Sequence, residues 1–224
     1  MTRQDRAAQA APKRGRYHHG DLRAALIQTT IDLIGERGLP EFSMAEASRR
    51  LGVAVAAPYR HFADRDALLA AVAVRAAELL GERLDSAAAS GTAAQRLAAA
   101  ARTYVRFAAD QRSLFQALAG SGLDKSSYPE IEHAARSIGL TFLTPAAELA
   151  DGDETAAARL TSAIVATAHG HAVLMLDGVF GSGPQATETA AEQAGAATLA
   201  LIAGQAHLSN VAEAVAPDRS EEGI

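Results

Sequence analysis

The chain has no cysteine and no tryptophan among its 224 residues, and only 4% of them are aromatic. Without thiols, disulfide scaffolds, thiolate zinc sites, iron–sulfur clusters and cysteine nucleophiles are excluded together. Long apolar runs are missing too: no stretch stays apolar and uncharged for the roughly 18 residues that a membrane span needs. Behind Arg3, Arg6, Lys13, Arg14 and Arg16 there is no apolar segment to serve as a signal peptide. The expectation is a cytoplasmic protein with no membrane partner. Runs of β-branched residues and alternating apolar–polar segments are also scarce, whereas 55 residues are alanine. That composition favours helix over strand and predicts an all-α fold.

A formal net charge of −5 argues against a nucleic-acid partner only if the charge is evenly spread. It is not. Residues 1–70 hold 11 basic against 8 acidic side chains, a net of +3, while residues 71–224 hold 10 against 18, a net of −8. Two regions with different electrostatic roles describe the chain better than one acidic globule.

Helical periodicity starts after Gly20, where Leu22, Leu26, Thr29 and Leu33 fall on one stripe widened by Ile27, Ile31 and Ile34. Arg37 and Gly38 close this helix. Ser43-Met44-Ala45-Glu46 has the pattern of a capping box, in which the Ser hydroxyl takes the amide three residues on and Glu46 reaches back. It predicts a helix over 43–51, ended by Gly52. A further short helix is expected over 54–61, and Asp64 is placed to cap a long amphipathic helix with Leu68, Leu69, Val72, Leu79, Leu80 and Leu84. Further helices are expected near 92–110, 112–119, 129–150, 154–178 and 185–207, with Pro145 kinking or splitting the third of these.

The two short helices joined by Gly52-Val53 have the spacing of a DNA-binding helix-turn-helix, a spacing that also occurs in helical bundles that never meet DNA. A second helix of that kind can lie in the major groove. Ser43, Tyr59, Arg60, His61 and Arg65 supply polar tips and charge around it. In the N-terminal arm, Arg14 and Arg16 are candidates for phosphate or minor-groove contact, with a merely solubilising tail as the alternative. The adjacent His18 and His19 suit a backbone or phosphate hydrogen bond better than a metal.

Tyr17-His18-His19-Gly20-Asp21-Leu22-Arg23, Phe42-Ser43-Met44, Leu51-Gly52-Val53 and Ala57-Pro58-Tyr59-Arg60-His61-Phe62-Ala63-Asp64-Arg65-Asp66-Ala67-Leu68-Leu69 strongly resemble the TetR family of transcriptional regulators. The resemblance implies a three-helix DNA-binding domain over residues 17–66, preceded by a flexible basic arm over 1–16. It also implies a helical regulatory and dimerisation domain over 67–208, followed by a polar tail over 209–224. Ser43, Tyr59, His61 and Arg65 match positions that usually meet the DNA backbone in the family. Val55, Ala56 and Ala57 would face the groove, where methyl groups can touch thymine methyls but cannot hydrogen-bond base edges. Ala54 stands where the family usually has a capping Ser or Thr, Ala56 where it has Gly, and Arg65 where it has Lys. Pro58 falls about four residues into the expected recognition helix.

The resemblance further implies a homodimer that binds double-stranded DNA and answers to a small-molecule effector, most simply as a repressor. Candidates for the effector cavity are Tyr104, Phe107, Phe115, His133, Phe142, His169 and Met175. Aromatic residues at helical spacing equally suit plain core. The segment around Thr167-Ala168-His169-Gly170-His171 resembles the His-Gly centre of the family's subgroup with a "WHG" C-terminal domain, although this chain lacks the Trp. For His169 the favoured use is a core histidine hydrogen-bonded across the bundle. Ala190, Ala194, Ala197, Thr198, Leu201 and Ile202 give the last long helix a face of mostly small residues, suited to a dimer seam or to packing within the chain. Two other function classes stand beside the regulator. One is a helical-bundle enzyme using His169, His171 and Asp177, disfavoured because two residues apart on a helix point about 200° away from each other. The other is a protein-interaction adaptor on a regulator fold. No cofactor, no metal and no catalytic residue is expected.

Overall fold

Three of the long helices begin at a side chain that satisfies their first free amides. Asp64 accepts from the Ala67 amide at 2.8 Å. Thr92 and Gln95 form a reciprocal capping box, with bonds of 3.3 and 2.9 Å. Asp153 accepts from the amides of Thr155 and Ala156, both at 2.9 Å. The computed structural model describes residues 19–205. Among these residues are eight α-helices, three short 3-10 turns and no strand, as the composition predicts. The helices are α1 (His19–Arg37), α2 (Met44–Leu51), α3 (Arg65–Ala87), α4 (Ala93–Asp110), α5 (Arg112–Ala119), α6 (Pro129–Leu149), α7 (Glu154–Leu176) and α8 (Pro184–Ala203). The 3-10 turns are Leu39–Glu41, Pro58–Arg60 and Lys125–Ser127.

The apolar stripe of α1 turns inward as its period requires: Leu26, Leu33 and Ile34 are buried, and Ile27 and Ile31 are half-buried. It packs on α2, α3 and α5. In α3, Leu68, Leu69, Val72, Leu80 and Leu84 are buried, and the helix runs from the small N-terminal unit into contact with α4, α5 and α6. One apolar cluster therefore continues from Leu26 and Phe62 through Leu80 and Phe107 to Ala190. The small unit and the larger bundle share a core.

Alanine lets the bundle pack tightly. At Gly81 in α3, α6 comes so close that a Cβ would collide with the Ser137 hydroxyl. α4 is central and touches α3, α5, α6, α7 and α8. Two features differ from the expected layout. Pro145 does not split α6, which continues to Leu149. A proline removes one ladder bond, and this one stands only four residues before the helix ends. The small-residue face of α8 is the second difference. Ala190, Ala194 and Thr198 are completely buried within one chain, and Ala197, Leu201 and Ile202 are half-buried. The stripe is the seam between α8 and α4, and the ion pairs Arg102–Glu192 (2.9 Å) and Arg106–Glu188 (2.7 Å) reinforce it. Ala190, Ala194 and Thr198 are thus packed inside the chain, whereas Ala197, Leu201 and Ile202 keep part of their surface free.

Candidate nucleic-acid interface

Ser43 opens α2 as the sequence predicts, its hydroxyl accepting from the Glu46 amide at 3.2 Å. The other half of the capping box does not form. Glu46 turns to Arg49 (2.9 Å) and to Arg37 (3.2 Å) instead. Gly52 ends α2 in the left-handed region, with φ 66°. Its amide bonds the Arg49 carbonyl, and the Val53 amide bonds that of Ser48. This paired pattern reverses the chain tightly, and a Cβ would be strained at that φ.

The expected recognition helix over 54–61 is not an α-helix. Residues 54–57 form a turn, with the Ala57 amide on the Ala54 carbonyl at 2.8 Å, and the 3-10 turn Pro58–Arg60 follows. Pro58 is the reason: it has no amide to give the Ala54 carbonyl, and its ring would collide with that carbonyl in an α-helical ladder. The Pro58 carbonyl then accepts from His61 at 2.9 Å and from Phe62 at 3.0 Å, which closes the turn. Pro58 and Phe62 are buried beneath it.

Apart from Arg60, what this turn exposes is mainly apolar. Val55 is 60% exposed and Tyr59 55%, and Ala54 and Ala56 also face solvent. Ala57 is half-buried, as is His61, whose Nε2 is buried with no hydrogen-bond partner among the described residues. Arg60 is exposed and has no ion-pair partner among them. Other cations nearby are engaged. Arg50 pairs with Glu36 through two bonds, the longer of 2.8 Å, and Arg49 with Glu46. The guanidinium of Arg50 holds the Glu36 carboxyl below the usual carboxylate range, and that of Arg49 does the same for Glu46.

Arg65, expected at the phosphate backbone, makes contacts within the chain. Its guanidinium donates to the carbonyls of Leu39 (2.9 Å) and Phe42 (3.2 Å) and lies 5.6 Å from the centre of the Phe42 ring. It straps the start of α3 to the turn before α2. Arg14, Arg16 and His18 lie outside the described residues. Sequence reading missed Arg23 of α1, which stacks over Phe62 at 5.3 Å and lines an open cleft of ≈600 Å³ with Ile27, His61, Ala71 and Arg75. No local pattern announces that cleft, because α1, α3 and the turn meet there only through the fold.

Among the seven effector candidates, the structure gathers three. The Tyr104 hydroxyl of α4 lies 3.1 Å from His169 Nδ1 of α7, and Phe115 of α5 completes the cluster, with ring centres 5.8 Å from Tyr104 and 5.7 Å from His169. His169 is thus hydrogen-bonded across the bundle. Burial pushes the Tyr104 phenol up to about 12. Phe107 and Phe142 are fully buried core residues, His133 is exposed on α6, and Met175 sits against Thr187 of α8. His171 is turned elsewhere, to the Thr167 carbonyl at 2.8 Å and onto the Phe180 ring, and Asp177 is the exposed C-cap of α7. The three groups of the enzyme alternative are not brought to one point by these contacts. No cluster of three His, Asp or Glu suited to a metal occurs among the described residues.

An all-α chain with a helix–glycine–turn unit at one end and a helical bundle behind it has the architecture of a helix-turn-helix transcriptional regulator. Residues 26–72 match the family model for bacterial regulatory proteins of the tetR family, and residues 97–214 match that for the tetracyclin repressor-like C-terminal domain. The chain belongs to the TetR family of transcriptional regulators. It is similar to the structure of a protein of unknown function from Rhodococcus sp. RHA1, at 28% identity and a TM-score of 0.68, covering 83% of this chain and 97% of that one. A tetR-family regulatory protein from Rhodococcus RHA1 shares the fold at 18% identity and TM-score 0.61, covering 80% and 96%. So does the TetR family transcriptional regulator PfmR from Thermus thermophilus, at 18% and 0.57, covering 79% and 96%. Comparison with the curated proteins gives no match. No helix among the described residues is long and apolar enough to cross a membrane.

Proposed function

We propose that the chain is a cytoplasmic, homodimeric, ligand-responsive repressor that leaves a palindromic operator when a small molecule binds its helical bundle. The carrying observation is the turn at 54–60, which holds Val55 and Tyr59 as the most exposed large apolar side chains of the N-terminal unit. Ser43, Tyr59, Arg60, His61 and Arg65 stand around it as phosphate-backbone contacts, with Ala54, Val55, Ala56 and Ala57 toward the groove. Two such turns, one per subunit, would meet successive major grooves one DNA turn apart.

The dimer face we assign is the outer side of α7 and α8. Val173 and Leu174 are exposed on α7, and Leu199 is exposed on α8 with Ala196, Ala200 and Ala203. For the effector, the Tyr104–His169–Phe115 cluster offers the polar and aromatic groups that orient a ligand inside an otherwise apolar bundle. Phe107, Phe142 and Met175 are walls at most, and the exposed His133 lies on the outside of α6. An effector acts only through its differential affinity for the bound and released arrangements.

The test is retention of genomic fragments, the chain's own upstream region included, in a gel-shift assay at stated salt. Wild type is expected to retain a short palindrome. Tyr59→Ala should weaken retention about tenfold or more with an unchanged helical spectrum, since Tyr59 is 55% exposed and outside the buried core. Undiminished retention by that variant would favour the adaptor reading.

A further inference from the structure

Six consecutive residues, Val53 to Pro58, carry no side chain able to donate or accept a hydrogen bond. Pro58 fixes them in a turn, and the most exposed apolar side chains of the N-terminal unit, Val55 and Tyr59, stand at its surface. Of the cations around the turn, Arg49, Arg50 and Arg65 are bound to Glu46, to Glu36 and to two backbone carbonyls, and the exposed Arg60 stands among the phosphate contacts proposed above. In the major groove the bases A, G and C present only donors and acceptors, and thymine alone adds a methyl group. An apolar side chain pressed on a donor or acceptor strips its water and returns nothing, whereas against the thymine methyl both surfaces are apolar.

Resting on the reading that this turn faces the groove, we infer that the chain recognises its operator through the C5-methyl groups of thymine, with Val55 as the reading side chain. The ligand class is duplex DNA carrying a C5-methylated pyrimidine at the contacted position of each half-site. 5-Methylcytosine bears the same methyl at the same place in the groove, so the surface accepts it in preference to unmodified cytosine.

The experiment uses the full chain and the palindrome it selects from a random duplex library. Deoxyuridine replaces thymine at single symmetric positions, and binding is read by fluorescence anisotropy. Loss of one buried methyl should weaken binding about fourfold, and one in each half-site about 15-fold. Val55→Ala is at an exposed position and leaves the core intact. In that variant thymine and deoxyuridine duplexes should bind within about twofold of each other, because the methyl's partner is gone. Replacing the contacted pair by 5-methylcytosine–guanine should bind more tightly than cytosine–guanine. If no duplex is selected, the regulator reading itself fails. If a palindrome is selected but deoxyuridine has no effect at any position, methyl recognition is overturned and the regulator reading stands. A deoxyuridine penalty that persists undiminished in Val55→Ala overturns the assignment to Val55.

Discussion

Tyr104 illustrates how burial fixes the chemistry of a group inside the bundle. The phenol is pushed up from 10.0 to about 12 because the folded bundle does not solvate a phenolate. The sign of the consequence follows from proton counting. Below pH 10 the group is protonated folded and unfolded, and its contribution to stability is complete. Between pH 10 and about 12 the unfolded chain gives up the proton and the folded chain does not, so stability falls as pH rises, by at most about 2–3 kcal/mol. Urea midpoints measured from pH 9 to 12 should decline more steeply in wild type than in Tyr104→Phe, and equal slopes would contradict the assignment. His169 was legible in the sequence as a core histidine, although its partner, 65 residues away, was not. The partners of Arg65 were hidden for the same reason. Its targets lie 23 and 26 residues back, and only the fold shows that two carbonyls are waiting there.

Helix α2 carries two cations, Arg49 and Arg50, neutralised by Glu46 of the same helix and by Glu36 of α1. Releasing one cation should change how the molecule meets a polyanion. Glu36→Gln leaves Arg50 without its partner, so nonspecific DNA binding should tighten at low salt. The slope of log affinity against log salt should steepen by up to about 0.9, the equivalent of one further phosphate contact. An unchanged slope would mean that Arg50 faces away from the duplex. The stability cost should be small, because the pair is exposed. The helices were legible where their signals are local: Ser43, Asp64, Arg37-Gly38 and the stripe of α1 each act within a turn or two of chain. The recognition element was not, although Pro58 was in plain view. Read as a residue of the helix's first turn it looks harmless, yet its clash with the carbonyl four residues back is what reduces the element to a 3-10 turn. The inward face of α8 was equally ambiguous, since small residues suit any close helix contact and only α4 decides which one forms.

At the scale of the whole molecule, what one chain leaves uncovered indicates how two would meet. Leu174 is 46% exposed and Leu199 42%, on the last turns of α7 and on α8. Leu199→Glu should therefore convert a dimer to a monomer in sedimentation experiments, retain the helical spectrum, and weaken operator binding more than tenfold by removing the second reading turn. A variant that stays dimeric would place the interface elsewhere. α3 adds a mechanical property to this arrangement. It is 23 residues long, or about 34 Å at 1.5 Å per residue. One end is capped by Asp64 directly after the reading turn and the other lies in the bundle. Such a rod amplifies. A tilt of about 5° at the bundle end carries the Asp64 end through about 3 Å, close to the rise of one base pair. On the proposed reading, a ligand that moves side chains by fractions of an ångström in the interior would thus take a pair of reading turns out of step with the groove, with no hinge and no unfolding.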